Sequence, residues 1–133
     1  MAITVRWADD IDNVILWEFG EVWSWEDFYQ MGPQSGVMIA STSERVDTIM
    51  ISSAKEIPAG AFTQFDKLAK VDIPANHGLI VIVNPVIAAQ TMVKISAKMN
   101  DVSYWKLADS YDEAKQLIEE DRRQSENKGG DTA

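Results

Sequence analysis

The chain has 133 residues, is 46% hydrophobic and carries a formal net charge of −9. A chain of this length suits a single domain that buries about two-thirds of its unfolded surface. The acidity and the scattered Lys and Arg residues argue against a nucleic-acid partner, since such partners need clustered cations. No cysteine is present, which excludes disulfides and thiolate metal sites. The chain has no run of about 18 apolar residues and no signal-peptide pattern at its start, so we expect a cytoplasmic protein without membrane insertion.

The first 20 residues predict an antiparallel β-hairpin. Residues 3–7 alternate apolar and polar side chains, which is the period of a half-buried strand, and the apolar run 13–19 predicts a second strand. The turn between them contains Asp9, Asp10 and Asp12. Aspartate favours turns because its carboxylate bonds nearby backbone amides. We prefer this interpretation to a metal site, because a calcium loop needs more oxygen ligands in a defined order.

A helix is predicted to begin after Ser24, where a serine N-cap precedes Glu26 and Asp27 in the first turn. Apolar and small residues with helical spacing then predict one buried stripe, made of Phe28, Met31, Ser35, Met38 and Ile39. Pro33 removes one backbone hydrogen bond and its ring crowds the preceding turn, so we expect a kink or a break near residues 29–33.

Two tryptophans flank the start of this helix and allow two interpretations. Trp23 and Trp25 together suggest a paired aromatic platform for a binding partner. The alternative, which we favour, places one ring in the core and the other on its rim.

A strand, a loop and a helix follow. Residues 46–52 predict a strand buried on both faces, as in a parallel sheet covered by helices. Pro58 and Gly60 close the loop 53–60 and lead into a second helix. We predict that four residues of this second helix face the core, namely Phe62, Phe65, Leu68 and Ala69. Residues 77–83 form the strongest apolar run of the chain, so we place that strand at the centre of the sheet.

Asn84 and Pro85 predict the start of a third helix over residues 86–99, with asparagine as N-cap and proline at the first helical position. This helix is apolar on more than one side. The predicted core stripe is Ile87, Met92, Ile95 and Met99, and the predicted flank is Val86, Ala89 and Val93. The surplus apolar surface indicates either a partner or complete burial by neighbouring elements, and the residues alone leave both open.

Residues 102–108 predict a last strand, and Ser110 with Glu113 forms a capping box that opens a fourth helix. Its predicted buried residues are Ala114, Leu117 and Ile118. The polar stretch 124–133 has little to bury, so we expect one domain over residues 1–123 and a disordered tail over 124–133.

The elements therefore follow the order β-β-α-β-α-β-α-β-α. Right-handed crossovers then predict an α/β fold with a mixed, mostly parallel sheet of about five strands, about four helices and the first strand at an antiparallel edge. This order, the strand VDTIMIS that runs into a loop, the helix start EIPAGAFTQF and the third helix begun by Asn-Pro resemble the STAS, or SpoIIAA-like, fold of anti-sigma-factor antagonists. The resemblance covers about residues 2–122 in topology.

The resemblance implies a non-enzymatic regulatory or protein-interaction domain. In the phosphorylated members, an Asp-Ser-Ser-Gly type segment begins the helix after the third strand, and one of its serines is modified. The corresponding residues here are Pro58, Ala59, Gly60 and Ala61, none of which has a hydroxyl group. The nearest hydroxyls belong to Ser52, Ser53 and Thr63. We therefore expect no phosphoserine switch at this helix start.

Sites in open α/β sheets tend to lie beyond the carboxyl ends of the strands. This rule predicts a rim of eight candidate interaction residues, namely Glu56, Ile57, Pro58, Ala59, Gly60, Thr63, Asn84 and Pro85. We expect the rim to expose Ile57 and Ala61 and to contact a protein partner or a second copy of the chain. The alternative is a small ligand, either a lipid or a nucleotide.

Catalysis is the competing class of function. His77 is the only histidine, and no serine or carboxylate motif accompanies it, so we expect neither an enzyme nor a bound cofactor or metal.

Overall fold

The computed structural model describes residues 2–131, with side chains described up to residue 126. Its elements in chain order are β1 (Ile3–Trp7), β2 (Val14–Phe19), α1 (Trp25–Ala40), β3 (Val46–Ser52), α2 (Ala61–Ala69), β4 (His77–Val83), α3 (Ile87–Met99), β5 (Trp105–Ala108) and α4 (Tyr111–Asp131). None of the helices in the described part of the chain has the length and apolar character that a bilayer crossing requires.

The strands form one sheet in the order β1-β2-β3-β4-β5. β1 pairs antiparallel with β2, and the other three pairs are parallel. The predicted α/β class, the element order and the antiparallel edge are therefore confirmed. The middle strand is β3, so the central placement of residues 77–83 is wrong. A long apolar run shows that a strand is interior, but it does not show which interior position the strand takes.

The sequential strand order determines where the helices lie. Each crossover from β2 to β5 steps to the next strand in the same direction, and right-handed crossovers then place α1, α2 and α3 on one face of the sheet. α4 follows the last strand and packs on β3, β4 and β5 from the opposite face. The core consequently has two parts. One contains Ile15, Trp17 and Ile39 on the three-helix face, and the other contains Val81 and Ile118 beneath α4.

α1 begins as predicted. The Ser24 hydroxyl accepts a hydrogen bond from the Asp27 amide at 3.1 Å, and the Asp27 carboxylate accepts one from the Ser24 amide at 2.9 Å. The helix continues through Pro33 to Ala40, so no break occurs. Pro33 has no amide hydrogen to donate to the Tyr29 carbonyl. Both residues are exposed, so this carbonyl lies on the solvated side of the helix.

β5 is shorter than predicted, because residues 102–104 form the connection between α3 and β5. The Val102 amide donates to the Ala97 carbonyl at 2.8 Å, and Asp101 adopts a φ of 54°. A left-handed residue with this amide-to-carbonyl bond is a common way to end a helix.

α4 begins where expected but extends further. The Glu113 amide donates to the Ser110 hydroxyl at 3.1 Å, the serine half of the predicted capping box. The helix continues to Asp131, over residues for which the sequence predicts a disordered tail. Arg45 donates to Asp121 at 2.7 Å and to Ser125 at 3.3 Å, which anchors this part of the helix. Residues 132 and 133 of the predicted tail lie outside the described residues.

A buried carboxylate connects several elements at the amino ends of the strands. Asp47 of β3 has a side chain with 0% exposure. It accepts hydrogen bonds from Arg45 Nη2 at 2.8 Å, from Arg122 Nε at 2.9 Å and from the Leu79 amide at 2.6 Å. Arg122 also donates to the Asp12 carbonyl at 2.9 Å. The charge thus holds β3, β4, the turn before β2 and α4 together.

Gly78 is required by this cluster. A Cβ atom at this position would lie 2.2 Å from Asp47 Oδ1 and 2.3 Å from Arg45 Nε. Both atoms belong to the ion pair and are held by several hydrogen bonds, so neither moves cheaply. Only glycine lets the ion pair pass this close to the β4 backbone.

We predict that Asp47→Asn lowers the free energy of unfolding by about 3 kcal/mol, because two partly buried guanidinium groups lose their anion. Urea denaturation followed by tryptophan fluorescence measures this change. Asp9→Asn is the control, since its side chain is 93% exposed and the change should stay within about 0.5 kcal/mol. An equally small effect of Asp47→Asn would show that the buried charge does not stabilise the fold.

Candidate functional site at the carboxyl ends of the strands

A cavity of about 80 Å³ lies between the sheet and the three-helix face, at the carboxyl ends of the strands. Its volume is several times the roughly 10–15 Å³ that one water molecule needs. The lining is almost entirely apolar and consists of Phe19, Trp23, Trp25, Phe28, Met50, Ser52, Ala54, Glu56, Ile57, Phe65, Ile82, Pro85, Val86, Ala89 and Val93. The space is partly open to solvent, and concave apolar spaces of this kind are the usual binding sites for small molecules, so the cavity is the main candidate site.

One wall of the cavity is a cluster of aromatic rings. The Trp23 ring contacts Phe19 and Trp25 edge to face, with both centroid distances at 4.9 Å. Trp25 contacts Phe28 at 5.7 Å and Phe65 of α2 at 5.8 Å in the same manner. Edge-to-face contacts hold rings in defined orientations. Both tryptophans are half-buried. Trp23 packs against the core cluster of β1, β2 and α1, whereas Trp25 contacts the loop 53–60, which agrees with the interpretation that places one ring at the core and one on its rim.

The loop 53–60 borders the cavity and is tied at both ends. The Trp25 indole N–H donates to the Ala59 carbonyl at 3.1 Å and lies 3.4 Å from the Pro58 carbonyl. At the other end, the Ser53 amide and hydroxyl donate to the Phe19 carbonyl at 3.1 and 3.2 Å. These bonds join the loop to α1 and to β2, so the loop and the aromatic wall keep one arrangement.

The structure places the eight predicted rim residues around this cavity. Glu56, Ile57 and Pro85 line it, and the carbonyls of Pro58 and Ala59 receive the Trp25 hydrogen bond. The other three surround it: Gly60 is the α2 N-cap with a φ of 81°, Thr63 is exposed on α2, and Asn84 is exposed after β4.

Two side chains that were expected to be exposed point inward. Ala61 is buried, and Ile57 is half-buried against the cavity. The rim therefore offers little apolar surface to a protein partner, and its apolar atoms enclose the cavity instead.

The predicted N-cap at Asn84 is wrong, because α3 begins at Ile87 with Val86 in the cap position. The Asn84 amide donates to the Ala108 carbonyl at 2.7 Å, which extends the pairing of β4 with β5. Asn84 adopts a φ of 45°, a left-handed conformation that asparagine tolerates well. The Gln90 side chain donates to the Pro85 carbonyl at 2.9 Å and supports the turn into the helix.

The buried side of α3 is the opposite of the predicted one. Ala89, Val93 and Ser96 are buried, whereas Ile87, Ile95 and Met99 are exposed. Both sets have helical spacing, so periodicity cannot choose between them. The small side chains of the buried set allow α3 to approach the sheet closely.

The predicted orientation of Phe62 on α2 is also wrong. It was predicted to face the core, but it is exposed, while Ala61 and Ala69 are buried. Small residues again form the inner side of a helix that packs close to its neighbours.

His77 lies at the opposite end of β4 from the cavity. Its Nδ1 is 3.1 Å from the Gly78 carbonyl, which can only accept, so Nδ1 carries the proton. Nε2 then accepts a hydrogen bond from the Thr48 hydroxyl at 2.8 Å. Burial lowers the pKa of His77 below its ordinary value of 6.5. Both ring nitrogens are thus engaged in structural contacts.

Asp10 of the first turn is held by two other side chains. Asp10 accepts hydrogen bonds from the Tyr111 hydroxyl at 2.5 Å and from Lys115 Nζ at 2.7 Å. These bonds hold the pKa of Asp10 below its usual range. No group of three or more metal-ligating side chains occurs within the part of the chain that the structure describes.

Comparison of the chain with protein-family models, with curated proteins and with solved structures finds no match. The site must therefore be interpreted from its own geometry.

We predict that the stability of the protein falls as the pH decreases below about 6.5 and that His77 causes this loss. The unfolded chain binds a proton near the ordinary pKa of 6.5, whereas the folded chain binds it only at lower pH. Asp10 and Asp66 also have shifted pKa values, but theirs are lowered from an ordinary value of 3.8. Their protonation therefore changes the stability only at more acidic pH than the range in which His77 titrates. Urea denaturation between pH 7.5 and about pH 5.5 should show the loss in wild type and a flatter profile in His77→Gln. Identical profiles would contradict the assignment.

Proposed function

We propose that this chain is a non-enzymatic, STAS-like regulatory domain that binds an acidic segment of a protein partner through the outer side of α3. The observation that supports this function most strongly is a basic and apolar helix face on an acidic protein. We call this surface the α3 outer face, and its residues are Ile87, Thr91, Lys94, Ile95, Lys98 and Met99.

The α3 outer face presents large apolar side chains to solvent. Ile87 is 80% exposed, Met99 is 68% exposed and Ile95 is 43% exposed. Their spacing places them on one side of the helix, opposite the buried Ala89 and Val93. Large exposed apolar side chains that gather on one side of a helix indicate an interaction site in soluble proteins.

Phe62 extends this surface onto the neighbouring helix. Phe62 and Asp66 lie four residues apart on one side of α2, and Asp66 accepts a hydrogen bond from the Asn100 side chain at 3.1 Å. Asn100 directly follows α3, so this side of α2 faces α3. Phe62 is exposed there and adds an aromatic ring beside the α3 outer face.

The charge of the surface indicates the chemistry of the partner. The chain has 21 acidic and 12 basic residues, yet α3 contains two lysines and no carboxylate. Lys94 and Lys98 form no ion pair among the described side chains. An acidic amphipathic segment would pair its carboxylates with these lysines and its apolar side chains with Ile87 and Ile95.

Other occupants fit this surface less well. Two copies of the chain that met through the same face would bring their lysines together, which disfavours a symmetric homodimer. An anionic membrane would be repelled by the net charge of −9.

The element order supports the STAS-like assignment, and the start of α2 argues against a phosphoserine switch. The residues at the switch position are Pro58, Ala59, Gly60 and Ala61, and the hydroxyl of Ser53 is bound to the Phe19 carbonyl. Regulation in this proposal depends on contact alone.

We predict that a partner captured from native lysate is lost when the α3 outer face is changed. Ile95→Glu and the double variant Lys94→Glu/Lys98→Glu should each weaken binding at least tenfold, since one removes the apolar contact and the other reverses the charge. Val37→Glu is the matched control, because Val37 is 71% exposed on α1, away from this surface.

Affinity capture with mass spectrometry measures the binding, and cross-linking identifies the bound partner segment. That segment should be rich in Asp and Glu. Equal recovery by all four proteins, or a basic cross-linked segment, would refute the proposal. A dimer in light scattering that Ile95→Glu dissociates would assign the surface to self-association instead.

We also predict that protein from its native cell carries no stoichiometric phosphate on Ser52, Ser53 or Thr63. Residues 58–61 at the start of α2 have no acceptor group, and phosphate nearby would add negative charge to an acidic protein. Intact-protein and peptide mass spectrometry test this directly. A stoichiometric phosphate at any of the three positions would show that the switch has moved.

A further inference from the structure

We propose that the cavity at the carboxyl ends of the strands binds a small, uncharged, apolar molecule of one or two fused rings. This site is distinct from the α3 outer face. α3 contributes to both, with Ala89 and Val93 on the cavity wall and Ile87 and Ile95 on the solvent side.

The size of the cavity determines the size of the ligand. About 80 Å³ is too large for a single water molecule and too small for a nucleotide or a long acyl chain. An engineered apolar cavity of about 150 Å³ stays dry and takes up benzene. The present space is smaller but partly open to solvent, so a ring can extend to its mouth. The lining rings of Trp25 and Phe65 offer edges and faces for a flat molecule.

The lining determines the charge of the ligand. Among the described residues that line the cavity, Ser52 and Glu56 are the ones with polar side-chain oxygens. The Ser52 hydroxyl already accepts a hydrogen bond from the Ala54 amide at 3.1 Å. Glu56 is exposed at the edge of the site, where its carboxylate disfavours an anionic ligand. The Trp25 N–H is bound to the loop carbonyls, and the Trp23 N–H has no partner among the described residues. One neutral donor without a cation does not offset the desolvation of an anionic group that enters the cavity.

The surroundings of the cavity keep it from collapsing. Trp25 and Ser53 tie the loop to α1 and to β2, and edge-to-face contacts hold the rings in place. Pro58 in the loop and Pro85 before α3 restrict the backbone at two places around the cavity. A space that is already formed without the ligand needs little reorganisation, which favours binding.

Indole is the probe for this site, and indole-3-carboxylate is its charged match. We expect indole to raise the melting temperature of wild type in a concentration-dependent manner, because a ligand that binds only the folded state stabilises it. Indole-3-carboxylate should produce at least a tenfold weaker effect. In two-dimensional NMR, indole should shift the Trp25 indole N–H signal and leave that of Trp7, which lies outside the cavity, unchanged.

The variants test whether binding occurs in the cavity. Ala89→Leu fills the cavity from α3, and Ala88→Leu is the matched control, because Ala88 is exposed and does not line it. We expect indole affinity to fall at least tenfold in Ala89→Leu and to stay unchanged in Ala88→Leu. Ala54→Leu fills the cavity from the loop and serves the same purpose if Ala89→Leu does not fold.

Three results would overturn the proposal: equal indole affinity in the cavity-filling variants, an equal effect of indole-3-carboxylate, or no indole binding to wild type up to its solubility limit. Failure of the cavity proposal would not contradict the proposed partner surface, because Ile95 does not line the cavity and Ile95→Glu tests that surface separately.

Discussion

The buried carboxylate of Asp47 is the interaction on which the rest of the structure depends. A charge with 0% exposure is tolerated only when its oxygens are fully paired. Arg45, Arg122 and the Leu79 amide supply that pairing and belong to three different parts of the chain. The requirement positions α4 against the sheet and demands glycine at residue 78. It therefore sets the geometry of the whole amino end of the sheet.

The two ends of the parallel strands are built from different interactions. The amino end is an ionic and hydrogen-bonded cluster in which His77, Asp47 and both arginines have their partners. The carboxyl end is aromatic and apolar, and it encloses unfilled space. Directional bonds hold the sheet together at one end. At the other end, shape and apolar surface are available for binding.

Sequential strand order concentrates the candidate surfaces on one side. Because each right-handed crossover steps in the same direction, α1, α2 and α3 share a face, and the loops that precede α2 and α3 meet at the carboxyl ends. α3 is last in this series and closes the face. Its small inner residues Ala89 and Val93 face the sheet, and its large outer residues Ile87 and Ile95 face solvent. One helix thus belongs to both the cavity and the proposed partner surface.

The sequence by itself determined the α/β class, the element order and both serine-capped helix starts, because apolar periodicity and capping act over a few neighbouring residues. It also placed the loop 53–60 and Asn84-Pro85 at the carboxyl ends of the strands, since strand ends in a parallel sheet follow from element order. Only the tertiary structure decided that Ala89, rather than Ile87, faces the core, because α3 carries two stripes with the same spacing. Only the tertiary structure brought Arg122 to Asp47 and Trp25 to the loop, because these contacts join residues far apart in the chain, where local pattern carries no information.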